Sequence, residues 1–135
     1  MHEFALADAV AGAAAEIAAR EGIRRVTRLE VGLGELQRIE GGLFSFVLRD
    51  VLAREGGVLE GAEVVIESVP ARCRCRSCGR RFRPLEGECG EEAREAIHLV
   101  PELAHAFLAC PACGSPDFAI EEGRGVVLRR VEGER

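Results

Sequence analysis

The sequence predicts an α+β fold: two helices packed on a three-stranded sheet, with a small module inserted before the last strand. Three observations carry that reading. Residues 3–21 and 43–54 place apolar side chains at helical spacing. Residues 25–37, 62–69 and 125–131 instead alternate or run β-branched, as strands do. Between the second and third of these strands stand Cys75-Arg76-Ser77-Cys78-Gly79 and Cys110-Pro111-Ala112-Cys113-Gly114, two tight pairs that interrupt every other pattern.

In the first segment alanine dominates, no proline intervenes, and Leu6, Val10, Ala13, Ala14, Ile17 and Ala18 fall on one stripe. Glu3 and Asp8 suit the positive end of that helix and Arg20 its negative end. Gly22 is placed to stop it. In the strand that follows, Val26, Arg28, Glu30, Gly32 and Gly34 would share one face, with Thr27, Leu29, Val31, Leu33 and Glu35 on the other. Gly41-Gly42 breaks the chain. Leu43, Phe44, Phe46, Val47, Val51 and Leu52 then give a second amphipathic helix, which Gly56-Gly57 ends. In the second strand Val64, Ile66 and Ala62 are candidates for the core. Pro70 marks a boundary, so the expected division is residues 1–70 with 120–135 as one domain and 71–119 as the insert. The last strand, Gly125 to Val131, follows the insert and can close back onto the first sheet.

Two Cys-x-x-Cys pairs supply four thiolates, the full tetrahedral shell of a structural zinc. Glycine after each second cysteine tolerates the positive φ that a metal knuckle needs. The inserted module is therefore expected to be a zinc ribbon on Cys75, Cys78, Cys110 and Cys113. Disulfides or inert thiols are the alternative, and disulfides would require an exported, oxidised protein. Cys73 and Cys89 are surplus and are expected to be spare thiols, although Cys73 could replace Cys75 at the price of a cramped chelate.

At 135 residues and 47% hydrophobic, the chain can fill one modest core. Its start lacks the basic and apolar regions of a secretion signal. The run Ala9 to Ala15 stops at Glu16, too short to span a membrane. A cytoplasmic location, with cysteines reduced and free for metal, fits these features. The net charge of −5 argues against nucleic-acid binding. Six arginines between 72 and 83 face five glutamates between 86 and 95, which reads as two solvated segments screening each other, or as a docking surface for an acidic partner. All 18 basic side chains are arginine, which excludes a lysine-bearing P-loop and Schiff-base chemistry. Four thiolates leave no open zinc position for water, and no nucleophile–base pair stands out, so the chain is not expected to be an enzyme.

His2 opens a different chemistry. The Met1 amine, the His2 amide and the His2 imidazole can close fused chelate rings around one ion, and planar nitrogens suit Ni(II) or Cu(II). Met1 should persist, because initiator methionine is normally trimmed only before small residues. Met1-His2-Glu3, a first helix, the Gly32-Leu33-Gly34-Glu35-Leu36 strand and the inserted four-cysteine ribbon together resemble the HypA/HybF family of nickel metallochaperones for [NiFe]-hydrogenase maturation. The resemblance covers essentially the whole chain, with a longer insert between the knuckles, from Gly79 to Ala109. It implies Ni(II) on His2 with the Met1 amine and Glu3 close by, and structural Zn(II) on the four cysteines. It also implies delivery with the GTPase HypB to the hydrogenase large subunit, with urease maturation as a second client and a homodimer allowed. His105, in what reads as an extended arm leading to Cys110, is expected near the zinc. His98 precedes Leu99-Val100-Pro101 and reads as connecting chain that could swing across and join His2 on nickel in at least one state.

Overall fold

The computed structural model describes residues 2–84 and 90–135, and of His2 the backbone alone. The chain divides into two units. The first comprises residues 1–33, 39–68 and 126–135, and the second residues 34–38 and 69–125. In the first unit α1 (His2–Glu21) and α2 (Gly41–Glu55) pack on each other and on a three-stranded sheet. Its order is β2-β1-β6, with β1 (Arg25–Gly34) central, β2 (Glu63–Val69) on one edge and β6 (Val126–Glu134) antiparallel on the other. The closing strand thus returns beside the first, as its position after the insert suggested. Gly22 stops α1 at φ 69°, and the Ile23 N–H reaches back to the Ala18 carbonyl at 2.8 Å, closing the helix end. At the start of α2 the Glu40 carboxylate accepts from the N–H groups of Gly42 (3.0 Å) and Leu43 (2.6 Å), which holds its pKa below the usual carboxylate range.

The side chains that fill this core differ in part from the expected stripes. On α1 the buried face is Ala7, Val10, Ala11, Ala14 and Ala18, while Ala13 and Ile17 are only half-buried. On α2 the buried residues are Phe44, Leu48, Val51 and Leu52; Leu43 and Phe46 point outward, Phe46 at 70% exposure. In β1 strict alternation fails. Val26 is buried together with Leu29, Val31 and Leu33, because the register with β6 slips between Val26 and Arg28. Such a bulge reverses the parity of the strand, so residues 26 and 29 share the inner face. Nor does the strand continue to 37: it ends at Gly34, and Glu35–Gln37 form a 3-10 turn.

The second unit holds the sheet β4-β3-β5, built from β3 (Arg72–Cys75), β4 (Arg81–Phe82) and β5 (Phe118–Glu122), antiparallel throughout. Two helices accompany it, α3 (Glu91–Leu99) and α4 (Ala104–Phe107). Its core is Leu36, Ala71, Cys73, Ile97, Ala104 and Phe118, so the 3-10 turn after β1 contributes a core residue to the insert. His98 is thereby corrected: it sits in the last turn of α3 rather than in connecting chain. Pro101 does force Val100 into an extended conformation (φ −137°, ψ 97°), but that restriction reaches only the residue before proline. Ala104 to Phe107, expected to be extended, form one turn of helix before Leu108 straightens.

The segment 34–38 is pinned by the backbone of residues 123–125. Gly34 N–H donates to the Gly125 carbonyl (2.8 Å), Leu36 N–H to that of Gly123 (2.9 Å), and Glu35 accepts from the Ala71 N–H (2.7 Å). A Cβ on Gly34 would lie against the Gly123 carbonyl and 2.7 Å from the Gly125 oxygen. Backbone on both sides cannot yield cheaply. Gly34→Ala is therefore expected to destabilise the second unit by about 1–3 kcal/mol. A guanidinium unfolding midpoint equal to that of the parent protein would refute this.

Candidate metal centre

Both knuckles repeat one local geometry. Gly79 N–H donates to the Cys75 carbonyl (2.9 Å) and Gly114 N–H to the Cys110 carbonyl (2.8 Å). Cys75 N–H donates to Arg80 O (2.8 Å) and Cys110 N–H to Ser115 O (2.9 Å). The glycines lie at φ 78° and 76°, where a side chain would be strained. Each Cys-x-x-Cys-Gly is thus a turn closed by its own backbone hydrogen bonds, with both sulfurs on it.

The four sulfurs Cys75, Cys78, Cys110 and Cys113 lie within 4.8 Å of one another. Cys75 and Cys113 Sγ are 3.5 Å apart, and Cys78 and Cys110 Sγ 3.7 Å. A disulfide would need about 2.0 Å. A tetrahedron with metal–sulfur bonds of about 2.3 Å has edges of roughly 3.8 Å. The donor set and its spacing fit a tetrahedral thiolate-bound ion such as zinc.

Electrostatics argue in the same direction. The Cys78 N–H donates to Cys75 Sγ at 3.5 Å, and chiefly for that reason the Cys75 thiol is held down to about 6. Burial pushes Cys110 up, but N–H groups of Cys113 and Ala112 and the neighbouring thiols bring it below its ordinary value. Cys113 is pulled down by the Ser115 N–H, yet Cys75, burial and the other thiols outweigh that and push it up to about 12. The first thiolates form readily and the last is opposed by those already present. A cation relieves that opposition.

Side chains around the knuckles join the two halves. Ser77 Oγ donates to Ser115 Oγ (3.1 Å), and Arg76 donates to Asp117 Oδ1 (2.8 Å) and the Phe118 carbonyl (3.2 Å). His105 Nδ1–H donates to the Pro116 carbonyl (2.9 Å), its ring tilted on Phe118 at 4.4 Å. His105 therefore braces the second knuckle through its following residues. Sequence reasoning missed Ser77, Arg76 and Asp117, whose partners lie some forty positions away with no local signal. Cys73 stands apart from the cluster. It is wholly buried in the second core, and burial, with Glu121 adding to it, pushes its thiol up to about 11. Cys89 lies outside the described residues.

Of the expected nickel ligands, Met1 and the His2 side chain also lie outside the described residues. Glu3 is in the first turn of α1, and His98 ends α3. Phe4 lies under the Arg54 guanidinium, 5.1 Å from ring centroid to carbon, and Arg54 is held in turn by Asp50 at 2.5 Å. That contact fastens the start of α1 to the end of α2.

The family model described as "Hydrogenase/urease nickel incorporation, metallochaperone, hypA" matches residues 1–133. The chain belongs to the HypA family. The hydrogenase maturation factor HypA of Thermococcus gammatolerans is 41% identical, the alignment covering 100% of this chain and 97% of that protein. That of Pyrococcus furiosus is 39% identical over the same shares, and that of Methanothermobacter thermautotrophicus 33%, over 100% and 98%. The fold matches the solution structure of the Ni metallochaperone HypA from Helicobacter pylori with a TM-score of 0.67 at 19% identity, covering 98% of this chain and 97% of that one. As a HypA protein the chain is a hydrogenase maturation factor of the nickel metallochaperone family, and not an enzyme. Among the described residues no helix is long and apolar enough to cross a membrane.

Proposed function

We propose that this HypA protein binds Ni(II) at its N-terminus and passes it, with the GTPase HypB, to the [NiFe]-hydrogenase large subunit, while zinc on Cys75, Cys78, Cys110 and Cys113 holds the inserted ribbon. The observation that carries the reading is the match to the nickel-incorporation family over residues 1–133, which includes His2. The start of α1 at His2 supports it chemically. The first N–H groups of a helix have no intrahelical acceptor, so the His2 amide can lose its proton to a metal without breaking a helix bond. The positive end of the helix opposes a cation there, and the deprotonated amide and Glu3 offset that opposition. Terminal nitrogens leave an ion open on one side, and releasing it requires no unfolding. Glu3 and His98 are the proposed further ligands, His98 in at least one state of the protein. The closed thiolate shell suits zinc to a structural role, without a position for substrate. The absence of a P-loop lysine makes the nucleotide-driven step the work of a partner. Urease maturation is a second client of the same chemistry, and the reading leaves a homodimer open and has no place for nucleic acid or a membrane. In the cytoplasm the thiols stay reduced for zinc.

Metal analysis of untagged protein tests this reading. One equivalent each of nickel and zinc is expected, with nickel lost and zinc retained when residues are added before Met1, since the extension removes the amine. Undiminished nickel affinity in the extended protein would move the site away from the N-terminus.

A further inference from the structure

β6 carries a second irregularity, with a different consequence from the one that turns Val26 inward. Arg130 faces Glu30 and Leu128 faces Val31, so Arg129 stands between them without a partner on β1. This is a bulge on an edge strand, a device that re-aims a side chain and spoils further strand pairing. In a regular strand, neighbours point to opposite faces. Here the consecutive residues Leu128, Arg129, Arg130 and Val131 all line one groove of about 390 Å³, which Ile17 and Ile23 extend. Its apolar lining is wholly aliphatic. Its charged lining residues are Arg129, Arg130 and Arg135, with Glu21 as the one acidic residue among them. Arg130 is held by Glu132 (3.2 Å) and Glu30 (3.8 Å), and Arg135 approaches Glu21 at 3.9 Å. Arg129 makes no ion pair among the described residues.

We propose that this groove is a docking site for an acidic segment of a partner protein, one aliphatic side chain seated between Ile17, Ile23, Leu128 and Val131 and flanking carboxylates on Arg129 and Arg130. Guanidinium forks match carboxylates, and a protein of net charge −5 presents such a lining against its own overall sign. A compact phosphate fits less well. Phosphate sites draw on helix N-termini and converging backbone N–H groups, whereas the helix end bordering this groove is the C-terminal one, with Glu21 on it. Carboxylates spaced along a segment can reach Arg129 and Arg130 while avoiding Glu21. The bulge disfavours addition of a regular strand, so side chains carry the recognition. The groove uses none of the proposed nickel or zinc ligands, and the inference stands or falls apart from them.

The test is fluorescence anisotropy on full-length protein with a labelled, end-capped peptide, Asp-Glu-Leu-Asp-Glu. Wild type is expected to bind it, more weakly as salt rises. Arg129→Glu should weaken binding about tenfold and Arg129→Ala by less, with zinc content and nickel affinity unchanged. Changing the central leucine to glutamine should weaken it as well. No binding by wild type, equal affinity in Arg129→Glu and wild type, or indifference to the leucine would overturn the proposal. So would inorganic phosphate displacing the leucine peptide and the glutamine peptide equally from wild-type protein, which would make the groove a small-anion site.

Discussion

Cys113→Ser is expected to leave the protein without its proposed zinc and with its second unit unfolded, while α1 and α2 persist. Serine at neutral pH offers a hydroxyl rather than a thiolate, and a three-sulfur remnant loses the closed shell that makes the ion structural. The effect is expected to be large because the second unit has little else than the proposed metal to hold it. Its fully buried side chains of any size are few, with Phe118, Ile97, Leu36 and Cys73 the largest, and its sheet has strands of four, two and five residues. Binding of structural zinc to small folds contributes about 10–16 kcal/mol, far more than one side chain in such a core. The first unit has its own cluster around Leu29, Val31, Phe44 and Leu48 and does not need the ion. Zinc per chain should fall from about one equivalent towards none. Hydrogen exchange should rise across β3 and β5 and stay low in α1. A variant that retained a full equivalent would mean that another thiol completes the shell. Cys73 would have to leave the core to do so, which makes Cys89 the first to test by a second substitution.

The parts legible from sequence were those set by near neighbours. Helical spacing, the stop at Gly22 and the two knuckles are short-range patterns, and each is folded by hydrogen bonds spanning three to five residues. What was misread depended on partners distant in sequence. The bulge that turns Val26 inward exists only in the register with β6, more than a hundred residues away. Leu43 and Phe46 are as apolar as Phe44, and nothing local says that Leu48 takes the core position instead. The 3-10 turn at Glu35 is fixed by the close approach of Gly123, Gly125 and Ala71, which no reading of residues 25–37 contains. α3 was missed for another reason. Its sequence, Glu91 to Leu99, is rich in glutamate, and that richness masked a helix that buries only Ile97. Its anchor is again remote: Arg38 pairs with Glu91 at 2.6 Å and with Glu95, one turn on, at 3.1 Å.

His2→Ala is expected to abolish tight nickel binding at the proposed N-terminal site and to leave zinc in place. The imidazole is the one neutral nitrogen donor that a side chain supplies within the terminal chelate, and alanine leaves the amine and amide alone on the ion. Losing one member of a fused chelate also removes the geometric restraint on the others, so affinity should fall by more than one ligand's share. Helix α1 should survive, since alanine is the better helix former at its first position. Stability and zinc content then separate a lost ligand from a damaged fold. The pH dependence has a defined sign. A proton and Ni(II) compete for the same imidazole nitrogen, whose ordinary pKa is about 6.5, so binding weakens as pH falls through that range. The Met1 amine and the His2 amide must also give up protons, which steepens the loss. Zinc should stay bound over the same interval, because its ligands are thiolates in a closed shell. Titration of wild type, His2→Ala, Glu3→Gln and His98→Ala, followed by the visible bands of planar Ni(II), tests each donor. Equal affinity in wild type and His2→Ala would remove the N-terminal site. Loss in His98→Ala that is absent in Glu3→Gln would identify the imidazole, rather than the carboxylate, as the ligand that completes the plane.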